Sequence, residues 1–278
     1  YKCTAVGMYA LATQTNSGNN TAVGYEALKL HTSSESTAVG YQALAASTTG
    51  SYNTALGNNT LKSSTTGYNN VAVGKDALKE LTTGAGNTAV GNLALTTAVT
   101  TLYNTAVGWE ALEKTTANHN TALGFRAGEE STTAIGGTWI GSWSGTANTS
   151  GEYNTAVGVE ALKVNTTGDR NVAIGMWSGN ANTTGNYNTS VGGACNGLTT
   201  TGSNNCSLGY GAGPGGPTSS NQVTLGNANI TDLRCNDTSI ASLSDRRDKT
   251  DIIDLTTGLD FINTLQPRQF KWQTRDGN

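Results

Sequence analysis

Apolar and polar positions follow one phrase that returns along most of this chain. Its clearest form is residues 20–28, Asn-Thr-Ala-Val-Gly-Tyr-Glu-Ala-Leu. A glycine anchors each copy, from Gly7 to Gly226. Eleven of the thirteen intervals between anchors are 17 residues; Gly24 to Gly40 and Gly108 to Gly124 are 16. A fixed short period predicts a solenoid, in which each repeat is one turn and buries its apolar face only against its neighbours.

The residue before each anchor is always aliphatic, as at Val6, Val107, Leu123 and Ile174, which predicts a core-facing slot. Three before the anchor, Thr alternates with Val71, Val172, Val223 and Cys206, so this slot is expected inside too. Between them stands a small residue such as Ala22 or Ala106, expected outside. Alternation with a period of two, in β-branched residues, predicts a strand. Four before the anchor runs a column of Asn, among them Asn53, Asn70, Asn87 and Asn104. Stacked turns let each amide donate to one neighbour and accept from the other, a structural role that outranks ligand binding.

After the anchor, Leu recurs four residues on, from Leu11 to Leu162. Glu-Ala-Leu-Lys at 26–29 has helical propensity. Four residues make barely one helical turn, so a second short strand or a tight turn is expected. Thr-Thr-Gly at 48–50, 65–67, 82–84 and 166–168 closes the repeat, with glycine expected at positive φ. The register weakens between Gly124 and Gly158. Ser142-Trp143-Ser144-Gly145 parallels Met176-Trp177-Ser178-Gly179, which sets the anchor at Gly141 and makes 128–137 a candidate distorted turn.

Composition narrows the class. Only 36% of residues are hydrophobic and 6% aromatic, while 36 are glycine, too few large side chains for a conventional core of this length. A thin core favours several chains sharing apolar faces. The expected fold is therefore all-β, a trimeric parallel β-solenoid (β-roll) of 17-residue repeats over residues 1–228, about 62 Å long at ~4.8 Å per turn. A net charge of −3 gives no basic footprint for nucleic acid. No apolar run reaches ~18 residues, so no membrane insertion is expected. Cys3, Cys195, Cys206 and Cys235 match no zinc pattern, and neither a metal nor a cofactor is expected. Cys195 and Cys206 read as small core residues, with a bridge between them an open alternative. His31 and His119 lie many turns apart and read as surface or turn residues.

From about residue 229 the texture changes. A connector (229–243) leads to residues 244–278, rich in Arg and Lys, with large apolar groups at Phe261, Ile262, Leu265, Phe270 and Trp272. A short helix over 255–265 is expected, stopped by Pro267. Tyr1 falls inside a repeat and Asn278 inside this last block, so the sequence is expected to be a piece of a longer chain.

Three blocks in order carry a resemblance: Ser244-Asp245-Arg246-Arg247-Asp248-Lys249-Thr250-Asp251-Ile252, Gly258-Leu259-Asp260 and Pro267-Arg268-Gln269-Phe270-Lys271-Trp272. They resemble the start of the α+β intramolecular chaperone domain of endosialidase-type phage tail spikes and fibres. The resemblance implies a domain that trimerises, helps the preceding fibre fold, and releases itself by a single-turnover cut. It places the nucleophile at Ser244, its base at Lys249 and the scissile bond at Leu243–Ser244. A Ser hydroxyl needs such a base, and a Lys of lowered pKa can serve. The repeats in turn resemble the β-roll heads of trimeric autotransporter adhesins.

The leading reading is a homotrimeric, receptor-binding bacteriophage tail fibre that meets host surface carbohydrate and other tail proteins. It would be assembled in the host cytoplasm and carried on the virion. Candidate glycan contacts are Trp143 and Trp177, which share one phase, and Tyr52, Tyr103, Tyr153 and Tyr187, which share another. The competing role for these rings is cover for the core ends or the trimer seam. A polysaccharide-degrading tail spike would need two carboxylates about 5–10 Å apart. Glu26, Asp76, Glu110 and Glu160 share one phase but have no partner column. A bacterial trimeric adhesin is a further alternative. An ice-binding solenoid is disfavoured because adjacent Thr side chains diverge.

Overall fold

The computed structural model describes residues 2–15 and 18–234. Ser244, Lys249, Cys235 and the helix expected over 255–265 lie outside them.

The described residues form a parallel β-solenoid. Fourteen three-residue strands, from β1 (Thr4–Val6) to β14 (Val223–Leu225), make one sheet in sequence order. Every pair is parallel and in register, as in Thr4↔Thr21, Ala5↔Ala22, Val6↔Val23. The two 16-residue turns keep this register. Thr32 N still donates to Thr48 O and Thr116 N to Thr132 O, both at 2.8 Å. The lost residue is taken from the connection before the next strand, at 33–35 and 117–119.

The inward face is the reverse of the expected one. The central Ala is the buried residue: Ala22, Ala55, Ala106 and Ala156 have no exposed surface. The flanking Thr and aliphatic residues point outward, with Leu56 at 48% and Leu208 at 52% exposure and Val107 half-buried. The opposite wall decides this. Leu28, Leu44, Leu61, Leu78, Leu95 and Leu112 fill the space inside each turn with no exposed surface. Beside so large a side chain the strand has room only for a methyl group.

The segment after each anchor is a run of tight turns, with no strand and no helix. Ala27 N donates to Gly24 O, Lys29 N to Glu26 O and His31 N to Leu28 O. The turns place Glu26 (φ 57) and Leu28 (φ 50) in the left-handed region, and the pattern repeats at Asp76 and Leu78. That conformation costs a non-glycine residue about 1–2 kcal/mol. Burying a leucine returns about 1.5–3 kcal/mol.

The anchors are glycine for two reasons. Gly124 has φ +142, and a Cβ there would lie 2.6 Å from the carbonyl oxygen of Gly141 in the next turn. The Thr-Thr-Gly glycines differ from expectation, since Gly50, Gly67, Gly84 and Gly168 do not have positive φ. They are small for lack of space: a Cβ on Gly67 would lie 2.7 Å from Ser64 Oγ and 2.8 Å from Gly84 O.

The Asn column forms the expected ladder. Asn70 Nδ2 and N both donate to Asn53 Oδ1, at 3.2 and 3.0 Å, and Asn87 repeats this on Asn70. Each amide also donates to a carbonyl thirteen or fourteen residues on, as Asn104 to Ala117 and Asn70 to Gly84.

The turn over 128–137 is regular. Gly141 is the anchor, and β9 (Thr138–Ile140) pairs in register on both sides. Its peculiarity is Trp139, fully buried in the slot that most other strands give to Ala and the rest to Ser or Thr. Gly128 and Gly145 stand in the leucine slots around it, and Cβ atoms on either would overlap the indole ring.

Candidate functional site

The four tyrosines share one corner of the solenoid, as their phase predicted. Tyr52, Tyr103, Tyr153 and Tyr187 are each more than half exposed, at left-handed φ between 54° and 59°. Their neighbours in the column occupy the ring faces. Tyr103 lies over Gly86 and stacks on His119, with ring centroids 5.5 Å apart. Tyr153 lies over Gly136, and Arg170 bridges Tyr153 and Tyr187 at 5.4 and 5.7 Å from the ring centres. The Glu35 carboxylate, hydrogen-bonded to the Tyr52 hydroxyl, raises its pKa. The column stays open to solvent, with His119 and Arg170 against part of the Tyr103, Tyr153 and Tyr187 rings.

Trp143 and Trp177 occupy the second position after their anchors, with Glu160 between them in the same column. Trp143 is half-buried. Phe125 meets it edge-on at 5.2 Å, and Arg126 and Lys163 lie 5.0 and 5.3 Å from its ring centre. Trp177 differs, being 44% exposed, and Ala194 and Gly211 follow it in the column. Beside it opens a cleft of about 380 Å³. The sequence grouped the two tryptophans as one surface, whereas in the structure their surroundings differ: Trp143 packs with Phe125, Arg126 and Lys163, and Trp177 borders a cleft. The legible signal was the pair of small residues after Trp177.

The acidic column is held by its neighbours. Glu26 binds Lys29 and Gln42, whose hydrogen bonds lower its pKa. Asp76 accepts from Asn59, and Glu160 pairs with Lys163. One cluster escaped the sequence reading. Glu110, Glu113 and Glu129 bring carboxylate oxygens within 4.8 Å of one another, close enough to hold a cation. Burial, then the neighbouring carboxylates, raises the pKa of Glu113; burial also raises that of Glu129, against Arg126. The Arg126 guanidinium pairs with Glu110 and Glu129, so the cluster already carries its counter-charge.

Cys3, Cys195 and Cys206 are described, and Cys195 and Cys206 are free thiols. Cys195 is buried with its Sγ 3.2 Å from Ser207 O, while Cys206 is exposed on the outward Thr slot of β13 (Cys206–Leu208). The open alternative of a bridge is not realised, and Cys206 is not a core residue. His31 is fully buried, with Nδ1 3.1 Å from Ser47 Oγ and no partner at Nε2, and burial lowers its pKa to about 4. Of the surface or turn role expected for it, burial overturns the first, while its N–H closes a turn on Leu28 O.

Residues 244–278 match a protein family described as the chaperone of endosialidase. A search of curated proteins found no match to the chain. The protein is thus a β-solenoid repeat protein bearing a C-terminal region that matches the endosialidase chaperone family. No helix among the described residues is long and apolar enough to cross a membrane.

Proposed function

We propose that this chain is the shaft of a homotrimeric bacteriophage tail fibre. It attaches to carbohydrate on the host surface, and its C-terminal region promotes trimer folding and releases itself by cutting Leu243–Ser244, with Ser244 as nucleophile and Lys249 as base. The observation that carries the trimer is the outward row of aliphatic side chains. Leu56, Leu123, Ile174, Leu208 and Leu225 are 41–52% exposed along one parallel sheet. Contiguous apolar surface on that scale marks an interface. A second copy of the same sheet is a fitting partner, because the periodic Thr and Val rows of each copy match those of the others. The chaperone match supports assembly, since the resemblance implies a trimerising domain.

Light scattering on the full chain, joined to oxidation of the native Cys206, tests this. A trimeric mass is expected, with Cys206-dependent dimer cross-links that vanish in Cys206→Ser. A stable, folded monomer overturns it. One other occupant of this face has support: Thr and Val recur in register along it, so a monomer showing thermal hysteresis would move the reading to ice binding.

A further inference from the structure

We propose that the cleft beside Trp177 binds one neutral pyranose unit of a surface polysaccharide. This deepens the attachment reading and rests on it.

Two departures from the repeat make the cleft. The position of Trp177 is filled in other turns by Gln42, Leu93, Arg126 or Trp143; Gln42 and Arg126 reach carboxylates of the turn before, and Trp143 meets Phe125 there. After Trp177 come Ala194 and then Gly211, so the turns that should cover its ring leave it 44% exposed. Leu198, 73% exposed, and Pro214 form apolar walls of the cleft. Its volume of about 380 Å³ lies near the lower end of the range for small-ligand sites.

The second departure is in the backbone. An outer ladder of N–H···O bonds runs unbroken from Ala46 N–Lys62 O to Ala147 N–Lys163 O. Thr13 N–Lys29 O belongs to the same ladder, which lapses once at Leu30; after Ala147 it stops among the described residues, and neither does Val164 donate to Asn180 O nor Ala181 to Gly197 O. Asn180 and Gly197 both border the cleft. Their carbonyls are acceptors released from the ladder, and the Asn180 carboxamide adds a donor and another acceptor.

The combination suits a sugar. A pyranose presents a face of C–H groups, which packs on an indole, and a rim of hydroxyls, which donate to carbonyls. No charged side chain lines the cleft. An acidic sugar would lose hydration there without gaining a counter-ion, so the ligand is neutral. Trp143 lacks such a site, because Arg126, Lys163 and Phe125 already occupy its surroundings.

Saturation-transfer NMR on the full chain, with methyl glucoside, methyl galactoside, methyl mannoside and N-acetylneuraminic acid as probes, tests the site. At least one neutral methyl glycoside is expected to bind saturably and the acidic sugar not to. Trp177→Ala should weaken binding roughly tenfold or more. Ala194→Leu should do the same by filling the cleft, and it is tolerated by the fold because Leu93 holds the equivalent position at φ 61. Trp143→Ala should bind as wild type. Binding of no neutral glycoside, or unchanged binding in Ala194→Leu, overturns the proposal. Attachment to bacterial cells is read separately. Attachment retained without any sugar binding sinks the cleft alone, while attachment absent despite sugar binding sinks the attachment reading alone.

Discussion

Trp139 and Gly145 are shaped to each other: the indole fills a slot that holds Ala in most strands, and Gly145 gives up the usual leucine to make room. Trp139→Ala should therefore leave a cavity and cost about 3–5 kcal/mol. Adding Gly128→Leu and Gly145→Leu restores the common pattern, in which Leu162 and its counterparts accept a left-handed φ near 50°. The triple variant should regain most of the lost stability in urea titration. No recovery would show that the exchange of Trp for Leu is not what fills this turn.

The strand's two faces can be separated by neighbouring substitutions. Ala106→Leu overpacks a slot with no exposed surface and should prevent a cooperative fold. Val107→Asp alters a half-buried, outward position, so circular dichroism should persist while the trimer dissociates. Equal loss of fold in both would place Val107 inside.

Gly124→Ala meets both the φ of +142 and the Gly141 carbonyl 2.6 Å from the new Cβ. It should lower the melting temperature by about 5 °C or more. An unchanged melting curve would mean that adjacent turns part freely at their anchors.

His31 makes stability depend on pH. Its folded pKa is about 4, against 6.5 when unfolded. Between those values the unfolded chain binds a proton that the native core refuses, so stability falls as pH drops from about 6.5 to about 4 and levels off below. Glu113 and Glu129, raised by burial, act in the opposite sense. The difference between wild type and His31→Gln isolates the histidine, since Gln14 occupies the same position in its own turn. Parallel pH curves for the two proteins would deny His31 this role.

Self-cleavage at Leu243–Ser244 should be single-turnover and should follow trimer assembly. Mass spectrometry of the full-length product should find a chain ending at Leu243. Ser244→Ala should leave a longer chain that still folds, and Lys249→Ala should slow or stop the cut. An intact wild-type chain after complete assembly would count the Ser–Lys pair as inactive.

The anchors, the turn count and the Asn53–Asn70–Asn87 ladder were legible in the sequence because translation by one repeat brings identical positions together. The sequence alone also required that Thr105 and Val107 share one face and Ala106 the other, since side chains alternate along a strand. It did not decide which face is inside. That depends on the distance between walls, and Leu112 from the opposite wall leaves space beside Ala106 for a methyl group only. Position in the repeat likewise could not separate Trp143 from Trp177, because the residues that crowd one ring and spare the other come from neighbouring turns. Tertiary structure decided both, since packing is set by volume across the core and between turns, and phase along the chain carries no volume.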